Sequence, residues 1–217
     1  MNRTRTDKVD RRRKGLRIGV DFDNTLVSYD RAFATVGRDA GLLPADFTGG
    51  KDAAKRRLMR ERPDGYLWEK LQGLVYGRRI DEAELYDGAA EFFRRCRERN
   101  GCRVYIISHK TILAHHDPLQ TDLRASALGW MRRQGFFEKS GFGFDAGQVF
   151  FEDTRDAKVR RIGELDCQIF IDDLPEVLGH ADMPAACRKI LFSTEDSGPF
   201  ERAANWTEVC AAVFPRS

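Results

Sequence analysis

Two carboxylates and a hydroxyl close the apolar run Arg17-Ile-Gly-Val-Asp21-Phe-Asp23-Asn-Thr25-Leu26. A carboxylate at the end of a buried strand is costly unless it is paired or bound to a metal. Asp21 and Asp23, two apart on an extended chain, project to the same side, so one site can use both. Taken alone, the stretch also reads as a strand running into an Asp-Asn turn. Two further apolar runs end in polar groups of the same kind. Val104-Tyr-Ile-Ile-Ser108 ends in a hydroxyl, and Cys167-Gln-Ile-Phe-Ile-Asp172-Asp173 ends in adjacent acids. Between them stands Lys158, the only lysine from Gly141 to Leu165. Carboxylates, hydroxyls and one lysine at strand ends suit phosphate or metal chemistry. Open parallel sheets bind their ligands beyond the carboxyl ends of the strands.

These four motifs, in this order and spacing from about residue 16 to about residue 192, resemble the haloacid dehalogenase (HAD) superfamily in its phosphatase branch. The resemblance implies a nucleophile at Asp21 that becomes an aspartyl phosphate. It implies an acid and base at Asp23, phosphoryl hydrogen bonds from Thr25 and Ser108, and charge neutralisation by Lys158. It also implies a magnesium ion held by Asp21, the backbone carbonyl of Asp23, and Asp172 or Asp173. A carboxylate attacking an anionic ester needs such an ion, and magnesium prefers oxygen ligands. The pattern departs from the family at Asn24, where many members carry Gly, and at Ile171-Asp172-Asp173, which lacks a Gly-Asp opening. Glu176 is a further candidate ligand. Asp23 favours phosphate-ester chemistry over dehalogenation.

Lys110, two residues after Ser108, is expected to hold a second anionic group on the substrate or to lie in a solvated loop. His115-His116 invites a metal reading, but adjacent side chains point apart and no histidine stands at a ligand spacing of three to five residues from them. Lys51, Lys55, Arg56 and Arg57 make a basic helix face, read as solvated ahead of substrate-facing.

The elements that must position these groups follow from periodicity. Strands are expected at Leu16–Phe22, Cys102–Ser108, Val149–Phe151, Ile169–Ile171 and Lys189–Phe192, alternating with helices. That pattern predicts an α/β fold with a Rossmann-like parallel sheet of about five strands. The resemblance adds the order fifth, fourth, first, second, third. After Leu26 a helical stretch intervenes. It has a helix behind a cap at Ser28, a loop over 42–50, a basic helix over 51–61, a break at Pro63-Asp64-Gly65, and a helix carrying Leu67, Trp68, Leu71, Leu74 and Val75 up to Gly77. A later helix is read from an Asp117-Pro-Leu-Gln120 start to a stop at Gly135, and a closing one over Trp206–Phe214. The expected organisation is a basic disordered tail over 1–15, a core of 16–27 with 86–217, and a small helical cap over 28–85.

The chain of 217 residues, 41% hydrophobic with 15 phenylalanines, can supply one α/β core with a modest insertion. No apolar run approaches a membrane span, and no signal-peptide apolar region stands near the start. Five cysteines without a CxxC pair favour reduced thiols and a cytoplasmic location. The net charge of +3 is uneven, because residues 1–17 carry an excess of six positive charges. That tail is read as solvated, with nucleic acid not expected as a partner. The leading functional expectation is a magnesium-dependent phosphatase of a small phosphorylated metabolite. A phosphomutase or phosphotransferase, and a non-catalytic phosphate-binding regulator, remain open at this stage, and the sequence carries nothing on oligomeric state.

Overall fold

A computed structural model describes residues 15–195 and 198–215. The basic run Arg11–Lys14 lies outside them. Six parallel strands form the sheet in the order β5-β4-β1-β6-β7-β8. They are β1 (Arg17–Val20), β4 (Arg103–His109), β5 (Val149–Glu152), β6 (Ile169–Asp172), β7 (Arg188–Phe192) and β8 (Glu201–Ala203). The expected five stand in the expected order. The sixth, β8, adds an edge that apolar patterning misses, because two of its three residues are charged.

The strands are apolar on both faces, as parallel sheets require when helices cover both sides. Along β4, Val104 and Ile106 enter one apolar cluster while Tyr105 and Ile107 enter the other. Helices α4 (Ala89–Glu98), α5 (Leu123–Arg133) and α8 (Trp206–Val213) cover the first side with Phe92, Phe93, Trp130 and Trp206. Helices α6 (Arg155–Glu164) and α7 (Pro175–Leu178) cover the second with Val159, Ile162, Val177 and Leu178. Gly19 sits where β1 meets Phe170 of β6. A Cβ there would lie 2.6 Å from that ring, so a larger residue would have to displace it.

Between β1 and β4 come three helices, α1 (Asp30–Asp39), α2 (Lys51–Glu61) and α3 (Tyr66–Tyr76). They are flanked by two short strands, β2 (Val27–Ser28) and β3 (Glu84–Leu85), which pair antiparallel. The sequence reading placed a helix cap at Ser28. Ser28 instead pairs with Glu84, and α1 starts without a side-chain cap. The three helices join the apolar cluster of the sheet through Phe33 of α1, Leu58 of α2, and Trp68, Leu71 and Val75 of α3. Trp130 ties them in further, donating its Nε1–H to the Ala83 carbonyl at 3.2 Å.

A second correction concerns α5, expected to begin at Asp117. Asp117 closes a turn instead, accepting from the backbone N–H groups of Leu119 and Thr121, and Gln120 takes a positive φ of 48°. The helix starts five residues later, where Asp122 accepts from the backbone of Arg124 and Ala125. Both aspartates have N-cap chemistry. Leu119, left 66% exposed, shows that the first offered no buried face to the helix it would have begun.

Candidate active site

The register of the central strands explains why the site forms where it does. Val20 lies opposite Ile106 on one side and Ile171 on the other. One step further along the parallel strands come Asp21 and Asp172, and two steps along β4 comes Ser108. The Asp21 N–H donates to the Ile171 carbonyl at 2.9 Å, which extends the ladder by one residue. The chain then turns at Asn24, whose φ is +59°. Asparagine tolerates this left-handed conformation, so it replaces glycine here without breaking the turn.

Lys158 approaches from α6 and is buried. Its Nζ lies 2.5 Å from Asp21 and 2.6 Å from Asp172. Burial alone would pull the lysine pKa down, but Asp172 and Asp21 outweigh it and the pKa is raised. The second oxygen of Asp172 accepts from the Leu174 N–H at 2.9 Å. Burial pushes the Asp172 carboxyl up to about 6, against the pull of Lys158. Asp173 has no such cation in contact. Burial, with Asp21 and Asp172 close by, pushes it up to about 8.

One carboxylate oxygen each from Asp21, Asp172 and Asp173 lie within 4.8 Å of one another. A divalent cation fits this set. The donors are all hard oxygens, and among the described residues Lys158 is the one cation in ion-pair contact with these three acids, two of them buried and Asp173 half-buried. The side chain of Asp23 is not in the cluster, and Glu176 is exposed on α7. The two histidines lie elsewhere. His116 Nε2 is 3.0 Å from Glu69 and His115 is exposed.

Asp23 turns the other way. One of its oxygens accepts from the Tyr29 hydroxyl at 2.6 Å, and Lys110 Nζ lies 2.7 Å from the other. Burial, then Asp23, raises the Tyr29 pKa well above its ordinary value, so the phenol stays a donor. Lys110 is 4% exposed and packs between the rings of Phe22 and Tyr76. Its ammonium is therefore paired with Asp23, where the sequence offered a second substrate anion or a solvated loop as its surroundings. Thr25 is likewise engaged. Its hydroxyl accepts from the Asp173 N–H at 3.1 Å and lies 3.3 Å from that carboxylate. Of the three residues expected to bind phosphate, Ser108 lines the inner pocket.

That inner pocket, of about 130 Å³, is bounded by Asp21, Asp23, Ser108, Lys158 and Asp173. Two cations missed by the motifs also line it, Lys51 and Arg155. Lys51 belongs to the basic face read as solvated. It stands at the first position of α2, where its N–H donates to Asp30 at 2.9 Å. The preceding Gly50 packs so closely on Asp30 that a Cβ would lie 2.6 Å from the carboxylate. The Gly49-Gly50 pair before a lysine was the available signal. A larger pocket of about 310 Å³ adjoins the inner one and shares Asp23 and His109 with it. Its walls are α3 and the segment after β4.

No family model and no curated protein matches the chain. Solved structures do. A HAD family hydrolase from Deinococcus radiodurans R1, with bound phosphate and sodium, superposes with a TM-score of 0.55 at 17% identity, covering 92% of this chain and 95% of that one. The HAD-hydrolase YfnB from Bacillus subtilis, bound to magnesium, gives 0.54 at 14% identity over 93% and 100%. A HAD-superfamily hydrolase of subfamily IA from Geobacter sulfurreducens gives 0.56 at 10% identity over 92% and 97%. At these identities the likeness is one of fold: the chain has the α/β fold of HAD-superfamily hydrolases, and an aspartate cluster stands at its strand ends.

Proposed function

We propose that the chain is a magnesium-dependent phosphatase of a small phosphorylated metabolite, working through an aspartyl phosphate on Asp21. The observation that carries this reading is Lys158 bridging Asp21 and Asp172 beside Ser108 at the carboxyl ends of the central strands. Asp21, the Asp23 carbonyl and Asp173 would hold the magnesium ion, with Asp172 oriented by Lys158 and the Leu174 N–H. Bound there, the ion would offset charge on the phosphoryl oxygens and on Asp21.

A carboxylate oxygen of Asp21 attacks phosphorus, the P–O ester bond breaks, and the phosphoryl group passes to Asp21. Ser108 donates to a phosphoryl oxygen and Lys158 balances negative charge. Asp23, held by Tyr29 and Lys110, gives a proton to the departing alcohol. It then takes one from the water that cleaves the acyl phosphate. Thr25 positions Asp173, and Lys51 and Arg155 add positive charge at the pocket mouth. Residues 28–85 are the cap in this scheme, bringing Lys51 to the phosphoryl group.

The test uses Asp23→Asn with an aryl phosphate, whose acidic leaving group departs without a proton. Phenol should appear in a burst near one per enzyme and then slow, with the phosphoryl group found on Asp21 by mass spectrometry. Steady turnover with no burst and no phosphoryl-enzyme would overturn the assignment.

A further inference from the structure

The outer pocket has a composition of its own. Glu69, Gln72 and Tyr76 of α3 face Lys110, Thr111 and His115 across it. Because it meets the inner pocket at Asp23 and His109, an ester whose phosphoryl group sits against Asp21 would pass its bridging oxygen by Asp23. Its alcohol would then lie in the outer space. About 310 Å³ is at the small end of ligand sites.

The charge there points in one direction. Lys110, the lysine of the lining, is held by both oxygens of Asp23, at 2.7 and 3.0 Å. Among the described residues no arginine lines the pocket, and Glu69 contributes a carboxylate, 44% exposed, that meets His116 at 3.0 Å and His115 at 3.8 Å through one oxygen. A second anion on the substrate would meet the Glu69 carboxylate, while Lys110 is only 4% exposed and its ammonium is held against Asp23. The remaining groups both give and take hydrogen bonds: the Gln72 amide, the Thr111 hydroxyl and the His115 ring, beside the acceptor Glu69. Hydroxyl groups answer all of them. An ammonium, which accepts nothing, leaves the donors of Gln72, Thr111 and His115 unanswered. Tyr76 and Leu123 add apolar surface for carbon-bound hydrogens.

Resting on the phosphatase reading, we propose that the outer pocket selects an uncharged, polyhydroxylated alcohol, so that the substrate is a sugar or polyol phosphate. Glucitol 6-phosphate and 6-phosphogluconate test this as a matched pair, differing only in a terminal hydroxymethyl or carboxylate. The magnesium-loaded protein should favour glucitol 6-phosphate in kcat/KM by about tenfold or more. Glu69→Gln, which keeps the shape and removes the charge, should narrow that ratio. Binding of both compounds to Asp21→Asn protein, read by calorimetry in the presence of magnesium, should show the same preference without turnover. Equal or better use of 6-phosphogluconate, hydrolysis of an aryl phosphate but of neither compound, or a ratio unmoved by Glu69→Gln would each overturn the proposal. Failure of the phosphatase reading would look different. The aryl phosphate would also stay intact, and the binding preference would then decide the pocket's selectivity by itself.

Discussion

The two halves of the site are built on different terms. In the inner half, Asp21, Ser108, Asp172 and Lys158 are each no more than 4% exposed, and three of them sit at the ends of parallel strands. Their positions follow from sheet register, which a side chain cannot leave without moving a strand. In the outer half, Glu69, Thr111 and His115 stand on a helix and a loop and are partly or fully exposed. A rigid charged centre beside a wetter polar wall separates what reacts from what is selected. Substitutions in the inner half should therefore act on every substrate, and those in the outer half on some substrates only.

The largest break is expected from Asp21→Asn. It removes the nucleophile and a metal ligand together, so phosphate release should fall by about four orders of magnitude or more with alkyl and aryl esters alike. A loss confined to one ester class would dissolve the division between the halves. Lys158→Met comes next, because it leaves Asp21 and Asp172 buried without their cation. The metal-free protein should lose about 3–5 kcal/mol in denaturant unfolding, and saturating magnesium should recover part of that loss. A metal-free variant as stable as the parent would show that Lys158 does not hold the acids together.

Lys110→Met probes the seam between the halves. Removing the ammonium takes away the contacts that hold both oxygens of Asp23. With an alkyl phosphate, whose leaving group needs a proton, kcat should fall about ten- to a hundredfold, and the fall in phenol release from an aryl phosphate should be smaller. Lys110→Arg should restore most of it. An equal loss with both esters would make Lys110 a packing residue only.

The smallest effect concerns Asp173. Its folded pKa, raised to about 8 by burial and by Asp21 and Asp172, lies above that of an unfolded aspartate, about 3.9. Between these values the folded state binds more protons, so the metal-free protein should lose stability as pH rises through that window. Magnesium takes the ionised carboxylate, so the rise in Tm on adding it should be larger at pH 8 than at pH 6. A rise independent of pH would remove Asp173 from the metal set.

The amino-acid sequence by itself determined the inner half and the scaffold under it. Apolar runs ending in Asp21, Ser108 and Asp172 announce both a parallel strand and the group at its tip, because the two are consecutive in the chain. Lys158 was legible because no other lysine occupies its interval. Local signals failed where two choices were chemically equal, as with the caps at Asp117 and Asp122, and where a strand was short and charged, as β8 is. Tertiary structure alone decided the partners. Lys110 meets Asp23 across 87 positions and Thr25 meets Asp173 across 148. Periodicity describes which face a residue takes on its own element. It carries nothing about which distant element packs against that face. The carboxylates that meet Thr25 and Lys110 therefore had no signal in the chain. The outer pocket had no signature in the sequence, since its walls come from a helix and a loop that meet only when the three inserted helices close against the sheet.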